Sequence, residues 1–190
     1  MSDKKIRRMG WNAHDGDCYW SYEDVLDSLE KQIKQSGEHF NFICGIPRGG
    51  LTPAVQLSHS LKINFMDFEI FIRLFKNFLE NFLENYDEYM ENFKSRKFVL
   101  NKHKILLIDD ICHSGNTINN LLFEEDLKVI FDLTGTRFAV LVKNKIYKGD
   151  HVWKYGIEAT KNDWIQFPWE SEIKQEKAEK MIQNHIELAE

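Results

Sequence analysis

The sequence predicts an α/β domain built on a mainly parallel, twisted sheet of about five strands flanked by helices. Three observations lead there. Short apolar stretches alternate along the chain with segments of helical periodicity, the pattern of strand–helix–strand units. Ile105–Ile108 is a near-continuous apolar run, as a strand covered on both faces requires. Two apolar stretches also run into glycine-bearing polar loops and then into helical segments, with GIPRGG after Cys44 and DDICHSGNT after Ile108.

Taken in order, residues 1–18 are polar, carry Gly10 and Gly16, and read as an N-terminal arm or extended lead-in. From Trp20 the pattern becomes helical. Ser21 with Glu23 and Asp24 starts a helix in which Val25, Leu26, Leu29 and Ile33 recur until Gly37. Phe40–Cys44 is the first strand, and its glycine-rich loop enters a second helix near Leu51–Pro53, carrying Ala54, Val55, Leu57 and Leu61. Ile63–Phe68 is a second short strand and Ile105–Ile108 a third, with Phe138–Val142 the fourth and Trp164–Phe167 the fifth. Between the second and third lies a helical insertion over 67–97. Charged residues 171–190 form a closing helix with Ile173, Ala178, Ile182 and Ile186 on one side.

With 190 residues, 43% of them apolar, the chain fills one core and falls short of two, so a single domain over 1–190 is expected. Net charge is −5 with both signs interspersed. No broad cationic face results, which disfavours nucleic acid and membrane surfaces as partners. Cys18, Cys44 and Cys112 are scattered without metal-type spacing, as reduced thiols are. The start Met1–Arg8 is charged, unlike a cleavable signal, and no apolar run reaches the ~20 residues of a membrane span. A cytoplasmic protein is expected.

In a parallel sheet, ligands bind beyond the carboxyl ends of the strands. After the third strand the chain turns through Ser114-Gly115-Asn116-Thr117 into a helix, which gathers free amides and two hydroxyls around one point. Those amides and the helix dipole favour an anion such as phosphate. Asp109 and Asp110 precede the turn and, when ionised, only accept hydrogen bonds. They suit sugar hydroxyls or Mg²⁺. A paired acid at a strand end also serves as a simple turn or helix cap. Arg48, Gly49 and Gly50 read either as a tight turn with a solvated arginine or as a loop that admits an anion closely.

The whole string ILLIDDICHSGNT (105–117) resembles the phosphoribosyl-pyrophosphate motif of the type I phosphoribosyltransferases. GIPRGGLTPAVQLSHSL (45–61) resembles that family's pyrophosphate loop, which implies a cis peptide near Arg48 and a diphosphate held by Arg48, Gly49 and Gly50. RFAVLVKNK (137–145) and DWIQFPWE (163–170) are similar to the base-binding half of the branch that acts on xanthine, guanine and hypoxanthine. The resemblance, over roughly Trp20–Glu170, implies the family's fold with a small base-binding hood, a Mg²⁺ cofactor, and substrates phosphoribosyl pyrophosphate and a purine. It implies that Asp109, Asp110, Ser114, Gly115, Asn116 and Thr117 hold the sugar phosphate. Lys143 would select a 6-oxo group, because an ammonium only donates and a mismatch can discriminate by roughly 10⁴-fold. Trp164 would stack on the purine and Ile165 would offer main-chain groups to its edge. Without the resemblance, Trp164 reads equally well as a core aromatic.

Two departures from the family pattern stand out. His113 occupies a position where relatives usually carry an acid that contacts purine N7 as general base; a neutral imidazole can keep that contact, or cap the loop, or meet the phosphate. The insertion carries Phe71, Phe75, Phe78, Phe82, Tyr89 and Phe93 on a helical stripe. Such spacing serves core packing or a neighbouring subunit, and a homo-oligomer (dimer or tetramer) is expected. Asp110 is the expected Mg²⁺ ligand, while Glu170 could assist a second Mg²⁺ or stand as a solvated rim acid. Transfer of ribose 5-phosphate to a 6-oxopurine in purine salvage is the implied activity, with Asp109, Asp110, Arg48 and His113 as the catalytic set. A non-catalytic regulatory protein that binds phosphoribosyl pyrophosphate is the alternative from a different class.

Overall fold

Ile105–Ile108, each 0% exposed, open the central strand of a five-stranded parallel sheet. The computed structural model describes residues 5–12, 14, 18–84, 104–123, 127–128, 131, 135–171 and 175–187. Its larger sheet contains β3 (Phe42–Gly45), β4 (Asn64–Phe65), β5 (Ile105–Cys112), β6 (Arg137–Asn144) and β7 (Val152–Ala159). Their spatial order is β4-β3-β5-β6-β7, every pair parallel.

Helices cover both faces, which is why β5 needs no polar alternation. On one face lie α1 (Tyr22–Gln35) and α2 (Leu51–Leu61), whose Val25, Leu29, Ala54 and Leu57 pack with Leu106, Ile108 and Leu141. Ser21 caps α1 by accepting from the Asp24 amide at 3.3 Å. On the other face Phe71 of α3 (Phe68–Glu84) and Ile118 of α4 (Asn116–Phe123) pack with Ile105, Leu107 and Val140. Phe71 stacks on Phe131 at 6.2 Å, so the first turn of the insertion belongs to the core. Each such apolar side chain contributes about 1.5–3 kcal/mol by leaving water. Of the aromatic stripe, the side chains of Phe75, Phe78 and Phe82, and all of Tyr89 and Phe93, lie outside the described residues.

A second sheet of three parallel strands, β2-β1-β8, is made by β1 (Lys5–Gly10), β2 (Trp20–Ser21) and β8 (Asp163–Gln166). The closing helix α5 (Gln175–Glu187) packs on β1 and β8, burying Ala178 and Ile182.

Several elements differ from the sequence reading for identifiable reasons. The N-terminal arm is partly strand: the polar run KIRRMG lacks an apolar signal because only its end is buried. Trp164–Phe167, read as the fifth strand of one sheet, corresponds to β8 in the second sheet. The fifth strand of the main sheet is β7, hidden in sequence by Lys154, Glu158 and Gly156. That glycine lies where α1 crosses, since a Cβ there would sit 2.5 Å from the Val25 carbonyl oxygen. Finally, β5 continues past Ile108 to Cys112, so Asp109 and Asp110 are strand residues and the turn follows at His113.

Candidate functional site

Two strand ends of the larger sheet meet at the site. From β3 the chain passes through Ile46–Gly50 into α2, pinned by the Ile46 amide donating to the Ile108 carbonyl at 2.8 Å and the Gly50 amide to the Ile46 carbonyl at 3.0 Å. The Pro47–Arg48 peptide is cis. Neither glycine of this loop has room for a side chain. A Cβ on Gly49 would lie 1.9 Å from Asp110 Oδ2, and one on Gly50 would lie 2.1 Å from the Ile108 carbonyl oxygen. The loop carrying Arg48 therefore rests directly on the acids of β5.

Past those acids, β5 ends in the turn His113–Gly115 and α4 begins at Asn116. Gly115 has φ +88°, and a Cβ there would meet the Tyr147 ring at 2.3 Å, so both backbone conformation and space demand glycine. The turn surrounds a cavity of about 180 Å³ lined by Asp109, Cys112, His113 and Ser114–Thr117 among others. Helix α4 presents its N-terminal amides on the same side. His113 is buried, at 8% exposure.

A larger cleft of about 730 Å³ opens beside it, between the Arg48 loop and the smaller sheet. Alternation along β8 turns Trp164 and Gln166 into this cleft, with Arg48, Gly49, Asp110 and Glu170 also on its walls. The two cavities are joined by consecutive residues, Asp109 on one and Asp110 on the other.

The electrostatics of this junction are those of two adjacent acids held in a dry place, where burial opposes their ionisation. Burial pushes Asp109 up to about 8, aided by the Asp110 charge, and burial pushes Asp110 up to about 6. The Asp110 amide donates to Asp109 Oδ1 at 2.9 Å, and the Ile111 amide to Asp110 Oδ1 at 2.7 Å. Glu170 also raises Asp110, and its own Oε2 accepts from the Phe167 amide at 2.8 Å. Hydroxyl donors or a divalent cation would relieve this pair. Among the described residues no cluster of three or more metal-ligating side chains forms. Mg²⁺ held by one or two carboxylates plus substrate oxygens needs none, so the donor set fits that ion.

The structure distributes the other sequence-derived candidates unevenly. Asp109, His113, Ser114, Gly115, Asn116 and Thr117 share the small cavity, and Arg48, Gly49, Asp110, Trp164 and Glu170 share the cleft. Gly50 supports the loop from behind. Ile165 buries its side chain in the core and is registered opposite Arg7 of β1. Lys143 stands at the end of β6 with its ammonium 5.9 Å from the Tyr147 ring centroid and 5.4 Å from that of Tyr155, apart from the residues that line the cleft.

Other cleft residues were not singled out from sequence. Gln166 follows Trp164 by two in a strand, and Lys177 and Met181 are four apart on α5, so each pair shares a face by periodicity alone. Trp169 stacks on Phe167 at 5.0 Å and meets Tyr22 edge-on at 5.4 Å.

No curated protein sequence matches the chain. Among solved structures it resembles a purine phosphoribosyltransferase from Pyrococcus horikoshii Ot3, with 16% identity, 89% of this chain and 96% of that one covered, and a TM-score of 0.56. It also resembles a hypothetical protein from Neisseria gonorrhoeae with bound ppGpp, with 16% identity, coverage of 97% and 98%, and a TM-score of 0.58. The Helicobacter pylori xanthine-guanine-hypoxanthine phosphoribosyltransferase is similar as well, with 18% identity, coverage of 92% and 99%, and a TM-score of 0.53. At such identities these likenesses concern the fold. The phosphoribosyl transferase domain model matches residues 20–176, most of the chain and both halves of the site, and the protein belongs to that family.

Proposed function

We infer that the protein is a Mg²⁺-dependent purine phosphoribosyltransferase that moves ribose 5-phosphate from phosphoribosyl pyrophosphate to a 6-oxopurine, releasing diphosphate. The observation that carries this reading is the junction at Asp109 and Asp110, where a phosphate-sized cavity at a helix start adjoins a wide cleft walled by Trp164. The turn Ser114–Thr117 takes the 5′-phosphate on its amides, and the two acids accept from the ribose hydroxyls. Arg48 and the Gly49 amide hold the diphosphate, where negative charge grows as the glycosidic bond breaks. Asp110 would hold Mg²⁺, with Glu170 able to assist a second ion, and the metal would supply electrostatic stabilisation of that leaving group. Trp164 lies against the purine, a contact worth about 0.5–1.5 kcal/mol beyond area burial. Lys143 donates to the 6-oxo group, Ile165 offers main-chain groups to the base, and neutral His113 accepts from or donates to N7. Purine salvage in the cytoplasm is the role that follows; Cys18, Cys44 and Cys112 are all free thiols, which is compatible with that setting.

Incubation with phosphoribosyl pyrophosphate, Mg²⁺ and each purine in turn, followed by diphosphate release, tests the reading. Release with guanine, xanthine or hypoxanthine and little with adenine is expected. Release with adenine alone overturns the assignment to Lys143. The position of Lys143 against Tyr147 and Tyr155 favours a second reading, a protein that binds phosphoribosyl pyrophosphate without transferring it; binding without release for every base supports that one.

A further inference from the structure

The wall that carries Trp164 is assembled from a part of the chain far away in sequence. In the smaller sheet β8 lies at one edge and pairs with β1, which precedes residue 20, where the family match begins. The register sets Ile6 opposite Trp164 and Arg7 opposite Ile165. Arg7 Nε donates to Asp163 Oδ1 at 3.0 Å, and the guanidinium carbon stands 3.9 Å from the centroid of the Tyr19 ring. Asp163, the residue before Trp164, is only 4% exposed. Its other oxygen accepts from the Thr160 amide at 3.0 Å and the Thr160 hydroxyl at 2.7 Å. One carboxylate thus ties the turn that launches β8 on one side and the N-terminal strand on the other. The Lys5 amide adds a bond to the Asn162 carbonyl at 2.9 Å. Just past β1, the Trp11 ring stands 6.0 Å from Trp169, a second aromatic of the cleft wall.

We propose that Arg7 is a positioning residue for base binding: through Asp163 it fixes where Trp164 stands in the cleft, which makes the N-terminal strand a working part of the base site. The proposal rests on the purine-transfer reading. Its physical reason is the burial of Asp163. A carboxylate that deep needs its donors, and without Arg7 its Oδ1 loses the charged donor that holds it in place, so the side chain turns toward water. The turn Thr160–Asp163 then loses its anchor, and Trp164 is the next residue. The sugar-phosphate half is carried by β3 and β5 of the other sheet and by α4 packed on it, so the disturbance falls on the base and spares phosphoribosyl pyrophosphate. Tyr19 contributes by holding the guanidinium flat over its ring.

The test compares KM for the purine with KM for phosphoribosyl pyrophosphate, alongside thermal unfolding, in the full chain and in Arg7→Met, Arg7→Lys and Tyr19→Leu. The unsubstituted protein is measured first; no diphosphate release with any purine refutes the functional reading before any variant is made. With activity in hand, Arg7→Met is expected to raise the purine KM by about 10-fold or more while the other KM stays within about twofold. Arg7→Lys recovers most of the loss because an ammonium still reaches Asp163, and Tyr19→Leu raises the purine KM by about threefold. An unchanged purine KM in Arg7→Met, or an equal rise in both KM values, overturns the proposal. Should Arg7→Met fail to fold, an unchanged purine KM in Tyr19→Leu overturns it instead.

Discussion

Replacing Gly49 by alanine places a methyl group 1.9 Å from Asp110 Oδ2 and 2.2 Å from its carboxyl carbon. Ordinary contact begins near 3.4 Å, so the carboxylate must retreat by roughly 1.5 Å or the Arg48 loop must lift by as much. Either movement disturbs the bond from the Ile111 amide to Asp110 Oδ1 and separates the acid from the diphosphate loop. Displacement of that size at a reacting centre costs about 10²-fold in rate, or about 2.7 kcal/mol of transition-state stabilisation. The atoms that yield are the end of a side chain, so stability changes by only about 1 kcal/mol, a shift in Tm of about 2–4 °C. Gly50→Ala is the control with the opposite profile. Its methyl meets the Ile108 carbonyl oxygen at 2.1 Å, in the central strand, where no side chain can move aside. A loss of about 3 kcal/mol or more and a Tm lower by about 6–12 °C follow. Diphosphate release and thermal unfolding on both variants provide the comparison. Gly49→Ala with undiminished turnover, or two variants with the same profile, refutes the reasoning.

Three further outcomes follow from the same geometry. Because Asp109 and Asp110 rise from 3.8 to about 8 and about 6, the folded protein holds more protons than the unfolded chain across that window, so the stability they contribute is present at low pH and lost as pH climbs. Tm measured from pH 5 to pH 8 without ligand should decline, less steeply in Asp109→Asn, and equal slopes would contradict the assignment. His113→Ala is expected to lower turnover by about 10²-fold or more while His113→Asp keeps most of it; full activity in both removes His113 from the base contact. Ile70 and Leu74 on α3 are 44% and 51% exposed, and a dimer or tetramer that covers them should fall to monomer mass in Ile70→Glu with Leu74→Glu, whereas an oligomer of unchanged mass rules that contact out.

What could be read from the sequence tracks how concentrated each signal was. The core strand β5 and the helix α1 announced themselves by dense apolar periodicity, and the turn 113–117 by residue types that serve few other purposes together. β7 and β1 were illegible because strands at or near a sheet edge tolerate lysine, arginine and glutamate, and β1 takes its partner from over 150 residues away. The same distance hid the pair Arg7–Asp163. Lys177 and Met181 lie one step round the helix from the apolar stripe Ala178–Ile182, which alone carries a periodic signal; that stripe anchors α5 and leaves the adjacent positions facing the cleft. Lys143 shows the converse limit. Its place at the end of β6 followed from sequence, but its pairing with the Tyr147 and Tyr155 rings depends on β7 and the loop before it.

The central claim is that the turn after β5 seats a sugar's 5′-phosphate while Asp109 and Asp110 grip the sugar. A structure of the complex with phosphoribosyl pyrophosphate and Mg²⁺ measures this directly. The account predicts the 5′-phosphate on the amides of Ser114–Thr117, with both acids on the ribose hydroxyls or the metal. A phosphate bound elsewhere, with that turn closed by the protein's own side chains, contradicts it.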